Sequence, residues 1–96
     1  MKYIPTKRHW MEMYEQYVFY ETKKKFPIQK IQVKSLRNGV DKNEVFYMLM
    51  NFNEEAWMPI TLDKNNFLVD GQHRLELAKQ LGLKFIDAVI YDEERV

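Results

Sequence analysis

Between Thr6 and Lys25 the apolar positions fall three and four apart, at Trp10, Met13, Tyr14, Tyr17 and Tyr20. That spacing lines one side of a helix and predicts a first helix over 6–25, with Thr6 at its amino end. Pro27 would stop it, because a proline disfavours helical backbone at the residue before it. The period then shortens. In "IQKIQVKSL" (28–36), Ile28, Lys30 and Gln32 alternate with the β-branched Ile31 and Val33, which predicts a strand, and "RNG" (37–39) reads as a turn.

"DKNEVFYMLMNF" (41–52) supports two readings. Asp41 with Glu44 three residues on matches a capping box, and Val45, Met48, Leu49 and Phe52 form a helical stripe. Its aromatic content would also suit a strand. Helix is favoured. Further on, "MPITL" (58–62) and "NFLVD" (66–70) are short strands joined through "DKN", a connection rich in turn formers. A helix over 71–81 follows, closed by Gly82, and "KFIDAVIYD" (84–92) is a last strand. The order helix, strand, helix, strand, strand, helix, strand predicts a small α+β domain with helices packed on a mixed sheet.

Composition narrows the chemistry more than the fold. The 96 residues contain no cysteine, which excludes disulfides, zinc–thiolate sites and thiol catalysis. The two histidines, His9 and His73, stand far apart without metal-ligand spacing, so no metal site is expected. Ser35, the sole serine, has no neighbour that would activate it as a nucleophile. No apolar run reaches the ~20 residues of a membrane span and no signal-peptide pattern opens the chain, so a cytoplasmic location with no membrane partner is expected. The net charge of +1 conceals a split. Residues 1–42 carry ten Lys/Arg against four Asp/Glu, and residues 43–96 five against ten. Such a split fits a basic surface beside an acidic body, or two complementary halves folded together.

The junction "VDGQHRLELAKQLGL" (69–83) carries the densest chemistry. Asp70 is placed to cap the helix, and Gly71 permits a sharp backbone turn and a close approach to the helix mouth. Unpaired amides and the positive dipole end make that mouth an anion site, to which Gln72 adds an amide and His73 and Arg74 add charged donors. A capped helix start with a chance His-Arg pair is the plainer alternative. Glu54, Glu55, Asp63 and Asp70 are candidate general bases or Mg²⁺ ligands, or simply loop carboxylates.

"PITLDKNNFLVDGQHRLELAKQLGLKFIDAVIYDE" (59–93) resembles the ParB/sulfiredoxin superfamily. Its members carry a Pro-Ile-x-Val hairpin, a strand, Asp-Gly-x-His-Arg or Gly-Glu-Arg-Arg, a helix ending in Leu-Gly, and a further strand. The resemblance extends over about 28–92 and implies a ParB/sulfiredoxin-like domain at 28–96, preceded by an extra aromatic helix over 1–27. It implies a nucleotide-phosphate cradle at Gly71, Gln72, His73 and Arg74, with Asp70 capping. The implied ligand is a nucleotide or other phosphate, such as a nucleoside di- or triphosphate with Mg²⁺, in an accessory protein of DNA transactions from a plasmid, phage or bacterium. Departures limit the transfer. Sulfiredoxins require a cysteine where Gln72 stands. Partition proteins carry an Asn-Pro and Arg motif where "SLRNGVDKNE" offers only Arg37. They also append a helix-turn-helix region, and the free-serine kinases a second domain, neither of which lies in these residues. The Asp-Gly-Gln-His-Arg run also resembles one in bacterial proteins of DNA-modification systems.

Two other roles stay open: a small phosphotransferase or nuclease using the same cradle, and a nucleic-acid-binding or protein-interaction adaptor. Lys23, Lys24, Lys25, Lys30, Lys34 and Arg37 are the candidate contacts to a DNA backbone. The lysine run 23–25 has a plainer use, complementing the negative end of a first helix. His9, beside Lys7 and Arg8, reads as part of a solvated face. Trp10, Tyr14, Tyr17, Phe19 and Tyr20 exceed what one helix face needs, which suggests a homodimer or protein partner through the first helix.

Overall fold

"FIDAVIY" forms the inner strand on which the fold is built. The computed structural model describes residues 2–34, 40–92 and 94. Its elements are α1 (Arg8–Glu15), β1 (Tyr20–Pro27), α2 (Lys42–Met50), β2 (Ile60–Leu62), β3 (Leu68–Asp70), α3 (Gln72–Gln80) and β4 (Phe85–Tyr91). Short 3-10 turns occupy Ile28–Lys30 and Glu54–Ala56. Among the described residues four strands make one sheet in the order β1-β4-β2-β3. β4 is antiparallel to β1 and parallel to β2, and β2 is antiparallel to β3. Such a mixed sheet follows from one hairpin and one crossover through α3.

β4 is buried on both faces from Ile86 to Val89. Alternation along a strand sends Ile86 and Ala88 to one face and Asp87 and Val89 to the other. The first face meets Ile60 and Leu62 of β2, Val45 of α2 and Leu77 and Ala78 of α3, with Trp57 and Ile4 completing the core. On the opposite face, Asp87 is 1% exposed and accepts three hydrogen bonds. They come from the Tyr3 hydroxyl at 2.6 Å, the Thr6 amide at 2.7 Å and the Lys25 amide at 2.9 Å. A buried carboxylate is tolerated only when its lone pairs are satisfied in this way. Burial, with the Asp87 bond and charge, pushes the Tyr3 phenol far above its ordinary value.

The predicted order of elements is observed, but its first third is redistributed. The helix expected over 6–25 ends at Glu15, and residues 20–27 are a sheet strand. Thr6 is not the cap. That position belongs to Lys7, and the Thr6 amide is committed to Asp87. The lysine run lies on an edge strand with a bulge, where the register slips between Lys23 and Phe26 and Lys25 adopts φ 53°. Left-handed backbone costs a residue such as lysine ~1–2 kcal/mol, which the amide bond to Asp87 offsets. The strand expected over 28–36 is instead a 3-10 turn followed by one parallel bridge, Gln32 to Phe67. The end of that segment and the turn at 37–39 lie outside the described residues. Residues 1–27 are therefore not an appended helix, since β1 and Ile4 belong to the sheet and core.

The later elements match expectation. Asp41 caps α2, accepting from the amides of Asn43 and Glu44. Gly82 (φ 75°) ends α3 with paired bonds, its own amide to the Lys79 carbonyl and that of Leu83 to Ala78. This is the glycine-dependent Schellman ending, which needs a left-handed residue. No described helix is long and apolar enough to cross a membrane.

Candidate functional site

β3 ends at Asp70, and α3 begins two residues later. Gly71 makes that possible. Its φ of 103° is strained for any residue with a side chain, and a Cβ there would sit 2.8 Å from Ile60 Cγ2. The backbone thus presses directly on β2 and turns into the helix without displacement. The turn also moves the cap. Gly71, not Asp70, occupies the N-cap position, and it has no side chain with which to cap α3. Asp70 instead closes the sheet opposite Thr61, correcting the capping role expected from sequence.

The mouth of α3 opens into a cavity of about 310 Å³ lined by Asp70, Gly71, Gln72, His73 and Arg74 together with Glu44 and Met48 of α2. All five junction residues read from the sequence are therefore brought to one place. Two of them are arranged differently from expectation. His73 Nε2 accepts the backbone N–H of Asp41 at 3.2 Å, so that nitrogen faces α2 rather than a ligand. Only Nδ1–H remains to donate. Arg74 turns back to the Pro59 carbonyl, donating from Nη1 at 3.0 Å. Burial lowers the guanidinium pKa from its ordinary value, against which the charge of Asp70 and the neighbouring Tyr14 act. Arginine keeps its charge through such a shift, so the cavity wall carries a fixed, partly desolvated cation with further N–H donors.

Glu44 was legible in the sequence only as half of a capping box. That box is half-formed: Asp41 caps the helix, but His73 rather than Glu44 takes the Asp41 amide. Glu44 lines the cavity instead. The other candidate carboxylates are elsewhere. Asp63 holds the hairpin turn through the amides of Asn65 and Phe67, and Glu55 pairs with Lys7 at 3.6 Å. Glu54 lies on the same 3-10 turn as Glu55. Among the described residues no group of three or more His, Asp or Glu is placed to hold a metal by itself. Glu44 and Asp70 are the two carboxylates that line the cavity.

The described basic residues are spread over both edges of the sheet. Lys23 pairs with Glu21 at 2.8 Å, and Lys25 reaches over the rings of Tyr3 and Phe85 on the β1 edge. Lys34 lies over Phe67, beside β3 on the opposite edge. The two edges are three strand spacings apart, ~14 Å before side chains are counted. Lys24 borders α1 beside Thr6 and Met11, Lys30 ends the 3-10 turn, and Arg37 is outside the described residues. The aromatic residues of the first segment are partly used internally. Trp10 Nε1 donates to the Glu55 carbonyl at 2.7 Å, and Tyr14, Tyr17, Phe19, Tyr20 and Tyr91 pack on one another.

No family model matches the chain. A stretch of 33 residues, 34% of the chain, is 39% identical to the uncharacterized protein ORF326b of Acidianus two-tailed virus and covers 10% of it. Among solved structures, the chain is similar to the pNOB8-like ParB N-domain, with TM-score 0.60 and 25% identity over 76% of this chain and 28% of that one. The C2221 form of that domain gives 0.58, with 25% identity over 76% and 29%. Sulfiredoxin from Arabidopsis thaliana gives 0.61, with 23% identity over 75% of this chain and 85% of that one. The chain thus spans a tenth of the viral relative and under a third of the ParB structures. Its fold is ParB/sulfiredoxin-like.

Proposed function

We propose that this ParB-like domain binds the phosphates of a nucleotide in the cavity at residues 70–74, in the service of a DNA transaction. The observation that carries the reading is that the mouth of α3 opens into a cavity walled by the Arg74 guanidinium. Helix amides and dipole attract an anion there, and Arg74 adds charge at short range. In this reading the amides of Gly71, Gln72 and His73 are the main donors, His73 Nδ1–H and Arg74 assist, and Glu44 and Asp70 would hold a phosphate-bound Mg²⁺. Calorimetric titration of ATP, CTP and ADP, with and without Mg²⁺, tests it. Arg74→Lys keeps the charge but loses the planar fork, so affinity should fall roughly tenfold. Unchanged affinity, or no affinity in the parent protein, would remove the reading. Arg74→Ala is less informative, because it also breaks the bond to Pro59.

The presence of Glu44 in the cavity favours a second reading, a phosphotransferase or nuclease in which that carboxylate acts as general base. It requires Mg²⁺-dependent phosphate release or strand cleavage that Glu44→Gln abolishes while nucleotide affinity persists. Salt-sensitive DNA binding through the lysines is the weaker course, given their separation across the sheet.

A further inference from the structure

At the far end of α3 from the junction, three segments of chain are tied together by their backbones. The amides of Lys84 and Phe85 both donate to the Lys2 carbonyl, at 2.8 and 3.2 Å. The Ile28 amide donates to the Lys84 carbonyl at 3.0 Å. Between these segments lies a second cavity, of about 450 Å³ against about 310 Å³ at the mouth of α3. Its apolar wall is Pro27 and Ile28 at the end of β1, Leu83 beyond the Gly82 turn, and Phe85 at the start of β4. Leu83 is buried, while Ile28 and Phe85 are half-buried and face the opening. Small-molecule sites take this form, concave and mostly apolar, at roughly 300–1,000 Å³.

The rim is basic. Lys2 and Lys84 line the cavity, and Lys25 holds its ammonium 5.8 Å from the centre of the Phe85 ring. None of the three makes an ion pair among the described residues. One carboxylate stands close by, Asp87, which accepts the Lys25 amide and is 1% exposed. Three lysines against one buried carboxylate leave the rim cationic. Plainer uses cover two of the lysines. Lys84 follows α3, whose negative end favours a cation, and Lys25 guards an edge strand at its bulge. Neither use accounts for Lys2, nor for an apolar wall left open beside the charge. We propose that this cavity is a second ligand site, for a small amphipathic anion: an aryl or alkyl body carrying one carboxylate or phosphate. The body covers Ile28, Leu83 and Phe85. The anionic group meets Lys2 and Lys84, with Lys25 adding charge. Ammonium groups act as point charges with freely turning donors, so either anionic group suits them. This inference does not rest on nucleotide binding at residues 70–74.

Phenylbutyrate, titrated into the ¹⁵N-labelled full chain and followed by amide NMR, tests it. Saturable shifts are expected at Ile28, Leu83, Lys84 and Phe85, with about millimolar affinity for so small a ligand. Gly71, Gln72, His73 and Arg74 should stay unmoved. Phenyl phosphate should shift the same four amides, whatever it does at residues 71–74, and the two affinities rank carboxylate against phosphate. Acetate lacks the body and phenylbutanol lacks the charge, so each should bind at least roughly fivefold more weakly. Lys2→Glu and Lys84→Glu alter exposed side chains and should each weaken phenylbutyrate roughly fivefold, with well-dispersed spectra verifying the fold. No saturable shift by about 20 mM phenylbutyrate, or shifts confined to residues 71–74, overturns the inference. So does phenylbutanol or acetate binding as tightly as phenylbutyrate, or an affinity unchanged in both lysine variants.

Discussion

Asp87 and Gly71 are the single residues on which most depends. Asp87→Ala leaves the Tyr3 hydroxyl and the amides of Thr6 and Lys25 without their acceptor, and should cost about 3 kcal/mol in urea unfolding. The two glycines at the ends of α3 should separate strain from crowding. Gly82→Ala meets nothing within 4 Å and should cost only about 1 kcal/mol of backbone strain. Gly71→Ala adds a 2.8 Å contact with Ile60 to the same strain, and should cost about 2–4 kcal/mol. Comparable losses at both positions would show that Gly71 is not pressed against β2. The Tyr3 and Tyr14 phenols are raised, chiefly by burial, so the folded state holds their protons more tightly than the unfolded chain. Their contribution is complete below the ordinary tyrosine pKa of about 10 and is lost as pH rises through the folded values. Thermal stability should accordingly decline on the alkaline side of about pH 10, and Tyr3→Phe should flatten part of that decline.

At the scale of elements, what the sequence revealed depended on how local the causes were. α2, the hairpin and α3 carry their own signals: Asp41 three residues before Glu44, Asp63 in the turn, and glycines at both ends of α3. The first third does not. "YETKKKF" continues a helical spacing and has no alternation of its own. It becomes a strand because β4 offers an edge, and because buried Asp87, more than sixty positions away, stabilises the left-handed Lys25. The site was legible in its residues but not in their roles, since the partners of His73 and Arg74 are backbone groups of Asp41 and Pro59. No side-chain motif announces such partners. One consequence is testable. A fragment covering 28–96 lacks β1, Ile4 and all three donors to Asp87, so it should fail to fold, with a circular dichroism spectrum of an unfolded chain. A cooperative melt of that fragment would restore the view of residues 1–27 as an appendage.

In the whole molecule, β4 joins two halves with different uses. Asp87 fastens the amino-terminal segment to one face of the sheet, while the other face supports α2 and α3, between whose amino ends the cavity lies. His73 ties those two ends together, so a ligand at the mouth of α3 also meets α2 through Glu44 and Met48. The proposed ligand site is this cavity rather than the dispersed lysines. A two-dimensional ¹H–¹⁵N NMR titration with a nucleoside triphosphate and Mg²⁺ tests that most directly, because it reports every amide at once. Saturable shifts should concentrate at Gly71, Gln72, His73 and Arg74, extend to Asp41 and Glu44, and be reduced in Arg74→Lys. Shifts confined to Lys23–Lys25 and Lys34, or none at millimolar nucleotide, would contradict it.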